Sequence, residues 1–318
     1  RQRQMCIRDS CKSLKEGDYS NKDTFAKLAD AITTAEKAYT NVSDTRLNYK
    51  AARDTLEKVR VALTKNVSTE SSNPKTFRIL DKKTVIKEMG AGINLGNTMD
   101  GGLYDSSETG WQAYKTTKDY IKALHDAGYN TVRIPVTWGS HINDDYTIDE
   151  AWINRVQEIV DYCVDQDMYA IVNIHHDGAA NHDDRGNNTP ACWLDTYSQN
   201  IEKVYQKYEG VWNTIANRFK DYDEHVIFES MNEVTDAHGT ATNEDDAVLN
   251  ALNQLFINTV RATGSNNTKR WLAITGRFAT TAAITTMPED TLADSGDLGT
   301  TRLMFAVHIY KSNNNVRW

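Results

Sequence analysis

The sequence DEHVIFESMNEV, residues 223–234, decides the fold, because a short apolar strand in it runs directly into polar side chains. The strand covers 226–230, and Asn232 and Glu233 follow it. Runs of the same kind recur after Phe77, and short apolar runs bounded by polar or turn residues predict buried strands. These further runs are GINLG (92–96), TVRIPV (131–136), YAIVNI (169–174), WLAIT (271–275) and LMFAVHI (303–309).

Amphipathic helical patterns lie between these strands, at 117–128, 149–166, 201–219 and 245–263. Strands that alternate with helices predict an α/β fold with a parallel sheet. A (β/α)8 barrel is favoured over a doubly wound sheet, because the Gly-rich first turn of the latter is missing. A barrel needs eight strands, and the sequence supplies six. We therefore expect the barrel to be incomplete at its carboxyl end, with its first and sixth strands as unpaired edges.

A different pattern precedes the predicted barrel. Residues 1–10 show no apolar periodicity and no signal-peptide pattern, and we interpret them as a non-native leader. Residues 11–65 form a predicted helical module, with helical periodicity from Asn21 to Thr64, and 66–76 read as a polar linker to the barrel at 77–318. Residues 38–56 weakly resemble the FIVAR-type helical modules of extracellular carbohydrate enzymes; an ordinary helical spacer is the alternative.

Composition excludes several classes of function. The chain has 318 residues with a formal net charge of -8, and nucleic-acid binding normally requires a basic face. No run of about 18 apolar residues is present, so we expect no membrane insertion. The four cysteines are scattered and form no C-x-x-C pair, which argues against a zinc ribbon. The disulfide state stays open.

Polar side chains follow nearly every predicted strand. In parallel barrels the carboxyl ends of the strands meet at one face, where the reactive residues lie. We therefore expect one site built from several strands. Its members are Asn94 and Asn97 after the first strand, Arg133 and Trp138 in and after the second, His175, His176 and Asp177 after the third, Asn232 and Glu233 after the fourth, and His308 and Tyr310 after the sixth.

Glu233 carries the sharpest prediction. A carboxyl group at a strand end, beside Asn232, is placed to act as general acid and then general base on a glycosidic oxygen. The alternative is a helix-capping or loop carboxylate. Glu229 is a second candidate acid, but its position inside the strand favours a structural role in the barrel interior. Arg133 forms either a structural ion pair or a positive charge that keeps a neighbouring carboxylate ionised.

The pair His175–His176 also suggests a metal site, with Asp177 and a downstream group of His182, Asp183 and Asp184. Adjacent residues of a strand point to opposite faces, so we expect the two imidazoles not to chelate one ion. The downstream group lies in a Gly/Asn-rich loop, where a calcium site is the alternative to a solvated loop. We predict no metal and no cofactor.

Taken together, GINLGNTMD (92–100), DAGYNTVRIPVTW (126–138), NIHHDG (173–178), DEHVIFESMNEV (223–234) and HIY (308–310) resemble glycoside hydrolase family 5. Within it the resemblance is to the fourth subfamily, of endo-β-1,4-glucanases and xyloglucanases. It implies a retaining hydrolase with the acid/base after strand four and a nucleophilic Glu after strand seven. Residue by residue, it implies that Glu233 is the acid/base, that Asn232 binds the sugar 2-hydroxyl and that Arg133 supports the nucleophile. It also implies that His175 shapes the −1 site, with His176 beside it. His308 and Tyr310 would orient the nucleophile and the sugar.

No Glu follows His308 in the sequence, so the nucleophile is expected beyond Trp318, and we expect no activity from these 318 residues alone. Three functions compete. A retaining β-glycanase predicts the second carboxylate, a metal-dependent hydrolase predicts sensitivity to chelators, and a non-catalytic glycan-binding barrel predicts no carboxylate on strand seven.

Aromatic residues suggest the substrate class. Flat apolar faces in strand-end loops can stack on pyranose rings, as we expect for Tyr104, Trp111, Trp138 and Trp193, whereas Trp152 and Trp212 lie in helical patterns and read as core. Cellulose, mixed-linkage glucan, xyloglucan, mannan and xylan all remain open as the polysaccharide. The family resemblance implies an extracellular or cell-surface protein, and we expect a monomer.

Overall fold

The structure, a computed structural model, describes only part of the chain. The described residues are 22–40, 55, 76–101, 107–178, 192–196, 198, 200–235, 243–286, 292, 294, 296 and 301–309. Tyr104, Tyr310 and the group His182, Asp183 and Asp184 lie outside them, as do residues 1–10 and, apart from Thr55, residues 41–75 of the predicted helical module and linker.

Six parallel strands form one open sheet in the sequential order β1 to β6. They are β1 (Gly92–Asn94), β2 (Thr131–Ile134), β3 (Tyr169–Asn173), β4 (Val226–Glu229), β5 (Leu272–Ile274) and β6 (Leu303–Phe305). Sequential order with a helix between most neighbours is the arrangement of a (β/α)8 barrel. The predicted barrel fold is confirmed for the six strands present. Among the described residues, the edge strands β1 and β6 each pair with one neighbouring strand.

The described residues contain six α-helices: α1 (Lys22–Thr40), α2 (Lys82–Met89), α3 (Lys118–Asp126), α4 (Glu150–Val164), α5 (Ile201–Phe219) and α6 (Asn243–Ala262). Side-chain caps fix where several of them begin. Asp81, Thr117, Asp149 and Asn200 each accept a hydrogen bond from a backbone N–H of the first turn. The four predicted barrel helices are confirmed to within about two residues at each end, whereas α2 is a helix that the sequence analysis missed. No helix in the described part of the chain is long and apolar enough to cross a membrane.

The core lies on both faces of the sheet. The larger cluster packs the sheet against the surrounding helices and includes Trp212 and Phe228, while a smaller cluster inside the curved sheet includes Tyr169, Ile227 and Trp271. Successive side chains of a strand point to opposite faces. In β4, Phe228 therefore packs outward while Ile227 and Glu229 point inward, which brings Glu229 to the interior at the carboxyl end of the strand.

The segment just before α2 is attached at the opposite, amino-terminal end of the strands. The Arg78 guanidinium pairs with Glu224, which precedes β4, and with Glu88 at 2.9 Å. The indole N–H of Trp271 donates to the carbonyl oxygen of Leu80 at 3.2 Å. The chain therefore enters the barrel on the side away from the polar strand ends.

Candidate active site

The backbone continues in register past the strand ends and so brings the polar residues together. The N–H of His175 donates to the carbonyl of Val136 at 2.8 Å, and that of Asn232 donates to the carbonyl of Ile174 at 2.8 Å. These bonds prolong the parallel ladder beyond β2, β3 and β4. The residues after neighbouring strands consequently face one common cleft, as the carboxyl ends of barrel strands do.

Arg133 joins three strands inside this cleft. Its Nε donates to Glu229 Oε2 at 2.7 Å and its Nη2 to Glu229 Oε1 at 2.5 Å, while the same Nη2 reaches Asn232 Oδ1 at 2.9 Å and Nη1 reaches Asn94 Oδ1 at 3.2 Å. Burial acts to lower the pKa of Arg133, but the hydrogen bonds and charge of Glu229 raise it overall. A guanidinium fork with a bidentate carboxylate is a rigid unit. Glu229 is thereby held in the barrel interior by Arg133, in agreement with the structural role expected from its position inside the strand.

Glu233 lies beside His308 at the mouth of the cleft. His308 Nδ1 is 2.5 Å from Glu233 Oε1, and both side chains are partly exposed, at 21% and 29%. The backbone N–H of His308 donates to the carbonyl of Ala279 at 2.7 Å. Phe278 and Ala279 have φ values of 50° and 49°, a left-handed conformation that costs energy for residues with a side chain. A strained turn after β5 therefore helps to place His308 against Glu233.

Asp100, His175 and His176 form a compact cluster in the cleft. Nε2 of His175 lies 3.8 Å, and Nε2 of His176 3.6 Å, from Asp100 Oδ2. Each of the three offers one ligand atom, all within 4.8 Å of one another. The expectation that adjacent imidazoles point apart is wrong here, because both residues follow the last residue of β3, Asn173, and strand alternation no longer applies.

Burial shifts the pKa values of two side chains in this region, His175 and Asp177. It is the main cause that lowers the pKa of His175 well below its usual value, aided by the charges of His176, Arg133 and His308. Burial likewise raises the pKa of Asp177 to about 7, against hydrogen bonds that act to lower it. Asp177 accepts from Trp193 Nε1 at 2.7 Å and from the Trp138 backbone N–H at 3.1 Å. It therefore points away from the cluster, contrary to the metal grouping suggested by the sequence.

The tryptophans separate into core and cleft residues. Trp138 is fully buried, and its Nε1 donates to the Asn173 carbonyl at 2.9 Å. The expectation that Trp138 stacks on a sugar is therefore wrong. Its buried indole packs beneath the cleft and is bonded to the end of β3. Trp152 and Trp212 are buried in the core, as predicted. Trp193 has the Lys207 ammonium 5.0 Å over its ring centroid, which covers one of its faces.

Trp111 is the exposed aromatic residue of the described cleft. It is 45% exposed, and its ring meets that of His176 edge-on, with centroids 5.3 Å apart. Its loop is fastened by the buried Glu108, which accepts from Arg155 Nε at 2.8 Å and from the Thr116 backbone N–H at 2.7 Å. Arg155 Nη2 also donates to the Thr116 carbonyl at 2.6 Å. The loop that presents Trp111 is therefore held on both sides of that residue.

Two residues of this site were missed in the sequence analysis. Asn173 contacts both Glu229 and His175, and Asp100 faces the histidine pair. Asn173 is a polar residue inside an otherwise apolar strand, and that contrast was the available signal. Asp100 follows the first strand by several residues, so its approach to the third strand depends on the loop conformation.

A parallel sheet with polar side chains gathered at its carboxyl ends, including a carboxyl group at the mouth of a cleft, defines an enzyme of the α/β-barrel class. Residues 63–317 match the sequence profile of the cellulase family, glycosyl hydrolase family 5. The chain belongs to this family.

Relatives of known function agree with the profile. The chain is 39% identical over 235 residues to the cellulase/esterase CelE of Acetivibrio thermocellus, covering 71% of this chain and 26% of that protein. It is 38% identical over 252 residues to Endoglucanase B of Clostridium cellulovorans, covering 77% and 52%. The chain thus spans about a quarter and about half of these two relatives.

Solved structures show the same architecture. A GH5-4 broad specificity endoglucanase from Clostridium acetobutylicum matches with a TM-score of 0.62 at 37% identity, over 73% of this chain and 66% of that one. A glycoside hydrolase family 5 enzyme from Prevotella bryantii matches with a TM-score of 0.66 at 32% identity, over 75% and 68%.

Proposed function

We propose that this chain carries the acid/base half of the active site of a retaining, endo-acting β-glycanase that hydrolyses β-1,4-linked glucans. The observation that carries the proposal is the contact of Glu233 with His308, beside an Asn232 that is held by Arg133. A carboxyl group in this position can protonate the glycosidic oxygen and then activate water.

Each neighbouring residue has a role in this proposal. Asn232, oriented by Arg133, offers its amide N–H groups to a sugar hydroxyl. His175 and His176 line the −1 site, and Trp111 offers an exposed aromatic face on which a pyranose ring can stack. His308 orients Glu233. The proposal keeps for Tyr310 the role of orienting the nucleophile and the sugar. Asn94 holds Arg133 from the first strand.

The proposal places the nucleophile, a second carboxylate, after strand seven of the complete barrel. Retention requires the two carboxyl groups to lie about 5–5.5 Å apart, which leaves no room for an attacking water between them. The Arg133 charge at the centre of the cleft favours an ionised carboxylate nearby. Since the substrate is a polymer, the proposal includes a location outside the cell or at its surface, and a protein that acts as a monomer.

The test uses the protein with all eight barrel strands and soluble barley glucan. We expect the viscosity to fall early relative to the release of reducing ends, as internal cleavage requires. Proton NMR of the first product from a cello-oligosaccharide should show the β-anomer. An α-anomer formed first would overturn the retaining mechanism.

Two further outcomes distinguish the competing functions. Loss of turnover after treatment with a chelator, and recovery on return of a divalent metal, would indicate a metal-dependent hydrolase built on Asp100, His175 and His176. Saturable glucan binding without any turnover would indicate a non-catalytic glycan-binding barrel. Stable turnover in excess chelator supports the glycanase.

A further inference from the structure

Asn173 is a fully buried polar residue at the carboxyl end of β3, where its register partner is Glu229. Its Oδ1 accepts a hydrogen bond from the Val136 backbone N–H at 3.2 Å. A backbone N–H can meet only an acceptor, so this contact determines which end of the side-chain amide is oxygen and which is nitrogen. The amide nitrogen must therefore point the other way, into the cleft.

Two polar atoms lie within hydrogen-bond distance of that amide nitrogen. Nδ2 of Asn173 lies 3.3 Å from Glu229 Oε1 and 3.2 Å from His175 Nδ1. Because the amide nitrogen only donates, Nδ1 of His175 has to present its lone pair. A neutral imidazole with an acceptor at Nδ1 carries its proton on Nε2.

We propose that Asn173 is a positioning residue that holds His175 as the neutral Nε2–H tautomer and ties its ring to the Glu229–Arg133 pair. The sequence of contacts runs from the Val136 backbone through Asn173 to His175. The Nε2–H group then faces the cleft, with Asp100 Oδ2 at 3.8 Å, beyond hydrogen-bond distance. Asp100 therefore does not take up this N–H, and the donor stays available to a ligand oxygen that approaches from the side of the cleft.

The surroundings of the His175 ring keep it neutral. The ring of His176 lies edge-on with centroids 4.4 Å apart, and the positive charge of Arg133 opposes a second proton. Asp100 is the opposing negative group, and Glu229 is already engaged by Arg133. Since the side chain is only 12% exposed, water does little to stabilise an imidazolium there.

The tautomer has two chemical consequences. As a donor at Nε2, His175 recognises a ligand oxygen that accepts a hydrogen bond, such as a sugar hydroxyl; this part rests on the proposed function. A metal bound at Nε2 would instead force a proton onto Nδ1, directly against the Asn173 amide hydrogens. The same geometry therefore disfavours a metal at the Asp100, His175 and His176 cluster.

The tautomer is measured on the 318-residue chain itself, labelled with ¹⁵N-histidine, by long-range ¹H–¹⁵N correlation at neutral pH. The signals of His175 are assigned by their disappearance in a His175→Gln variant. We expect a protonated Nε2 and an unprotonated Nδ1. His141 is the internal control, because its Nδ1 lies 2.7 Å from Asp149 Oδ2 and should carry a proton in every sample.

Two substitutions test whether Asn173 is the cause. Asn173→Asp replaces the donor by an acceptor, and the ring proton of His175 should move to Nδ1. Asn173→Ala removes the donor, and both tautomers should become populated; this variant decides the question if the first one does not fold. An Nδ1–H tautomer in the unmodified chain, or an unchanged single tautomer in Asn173→Ala, overturns the proposal.

Binding of cellotetraose, followed by calorimetry on the eight-stranded protein and its Asn173 variants, separates this inference from the proposed function. We expect Asn173→Ala to weaken binding about three- to ten-fold, the usual effect of one misdirected hydrogen bond. A shifted tautomer with unchanged binding would refute the role toward sugar and leave the tautomer assignment intact. No binding by the unmodified eight-stranded protein would count against the proposed function alone.

Discussion

His308 Nδ1 lies 2.5 Å from Glu233 Oε1, so a hydrogen bond joins the ends of β4 and β6 across 75 positions of sequence. The two strands are not neighbours, because β5 separates them in the sheet. The contact is possible because the sheet curves and both side chains follow the carboxyl ends of their strands. The contact holds the Glu233 carboxyl group in one orientation, as the proposed acid/base role would require.

Replacing Glu233 by Gln in the eight-stranded protein should lower kcat on barley glucan by a factor of about 10²–10⁴ while leaving glucan affinity nearly unchanged, because the amide keeps the shape but cannot donate the proton as an acid. Initial rates and equilibrium binding measure the two effects. Glu158→Gln, on the outer helix α4 with a side chain that is 52% exposed, is the matched control and should retain full activity. Undiminished turnover by Glu233→Gln would refute its role.

Replacing His308 by Ala should lower kcat by about ten- to a hundred-fold with little change in KM, since a hydrogen bond to a charged group contributes roughly 1.5–3 kcal/mol. The loss arises because Glu233 is no longer held in one orientation. His125→Ala, at an exposed site in α3, serves as the control. A rise in KM at constant kcat would show instead that His308 acts on substrate binding.

Replacing Asp177 by Asn should stabilise the chain at pH 8 and have little effect near pH 4. The pKa of Asp177 is raised to about 7 from an ordinary 3.8, so the folded state binds the proton more tightly than the unfolded state. The stabilisation of the folded state by this protonated carboxyl group is complete below pH 3.8. It is lost as the pH rises from 3.8 through about 7. The gain at pH 8 is on the order of 4 kcal/mol at most, from 1.36 kcal/mol per pKa unit.

Guanidinium unfolding of both proteins at several pH values measures the difference in their free energies of unfolding. All other titrating groups are shared by the two proteins, so their effects cancel in this difference. An Asn oxygen at the Oδ1 position can still accept from Trp193 Nε1 at 2.7 Å and from the Trp138 backbone N–H at 3.2 Å, whereas the acceptor at the Oδ2 position is lost. Asp165→Asn, at a surface pair with Lys118, is the control and should show no such trend. A variant less stable than the parent at pH 8 would mean that the two donors outweigh burial.

Replacing Arg155 by Met should lower the free energy of unfolding by about 3–5 kcal/mol, because it leaves the buried Glu108 carboxylate without its partner. The loop that presents Trp111 should loosen as well, visible as a change in tryptophan fluorescence. Lys118→Met breaks an exposed ion pair and should cost no more than about 1 kcal/mol. Equal losses in the two variants would show that burial of Glu108 is unimportant.

Removing residues 1–71 from the eight-stranded protein should leave turnover of soluble glucan unchanged. The chain enters the barrel through Arg78 and Leu80 at the amino-terminal end of the strands, away from Glu233. Initial rates on barley glucan for the two lengths make the comparison. A large drop in kcat would show that the preceding helical segment packs on the barrel and shapes its active site. The division of the chain near residue 76 remains a prediction until then.

Local sequence determined the elements of this fold. Apolar runs such as VIFES predict a buried strand, since a short apolar segment bounded by polar residues can be covered on both faces in a parallel sheet. The capping residues Thr117 and Asp149 mark helix starts by chemistry that involves neighbouring backbone alone. Such interactions extend over a few residues, and for that reason sequence can predict them.

Tertiary structure decided how the site residues are used. Burial of Trp138, the approach of Asp100 to His175 and the role of Asn173 all depend on how loops from different strands meet. Strand alternation predicted that the two adjacent histidines point apart, but β3 ends before them. Side-chain identity and strand order were thus available from sequence, whereas orientation and protonation depend on distant groups and on burial, which only the assembled barrel defines.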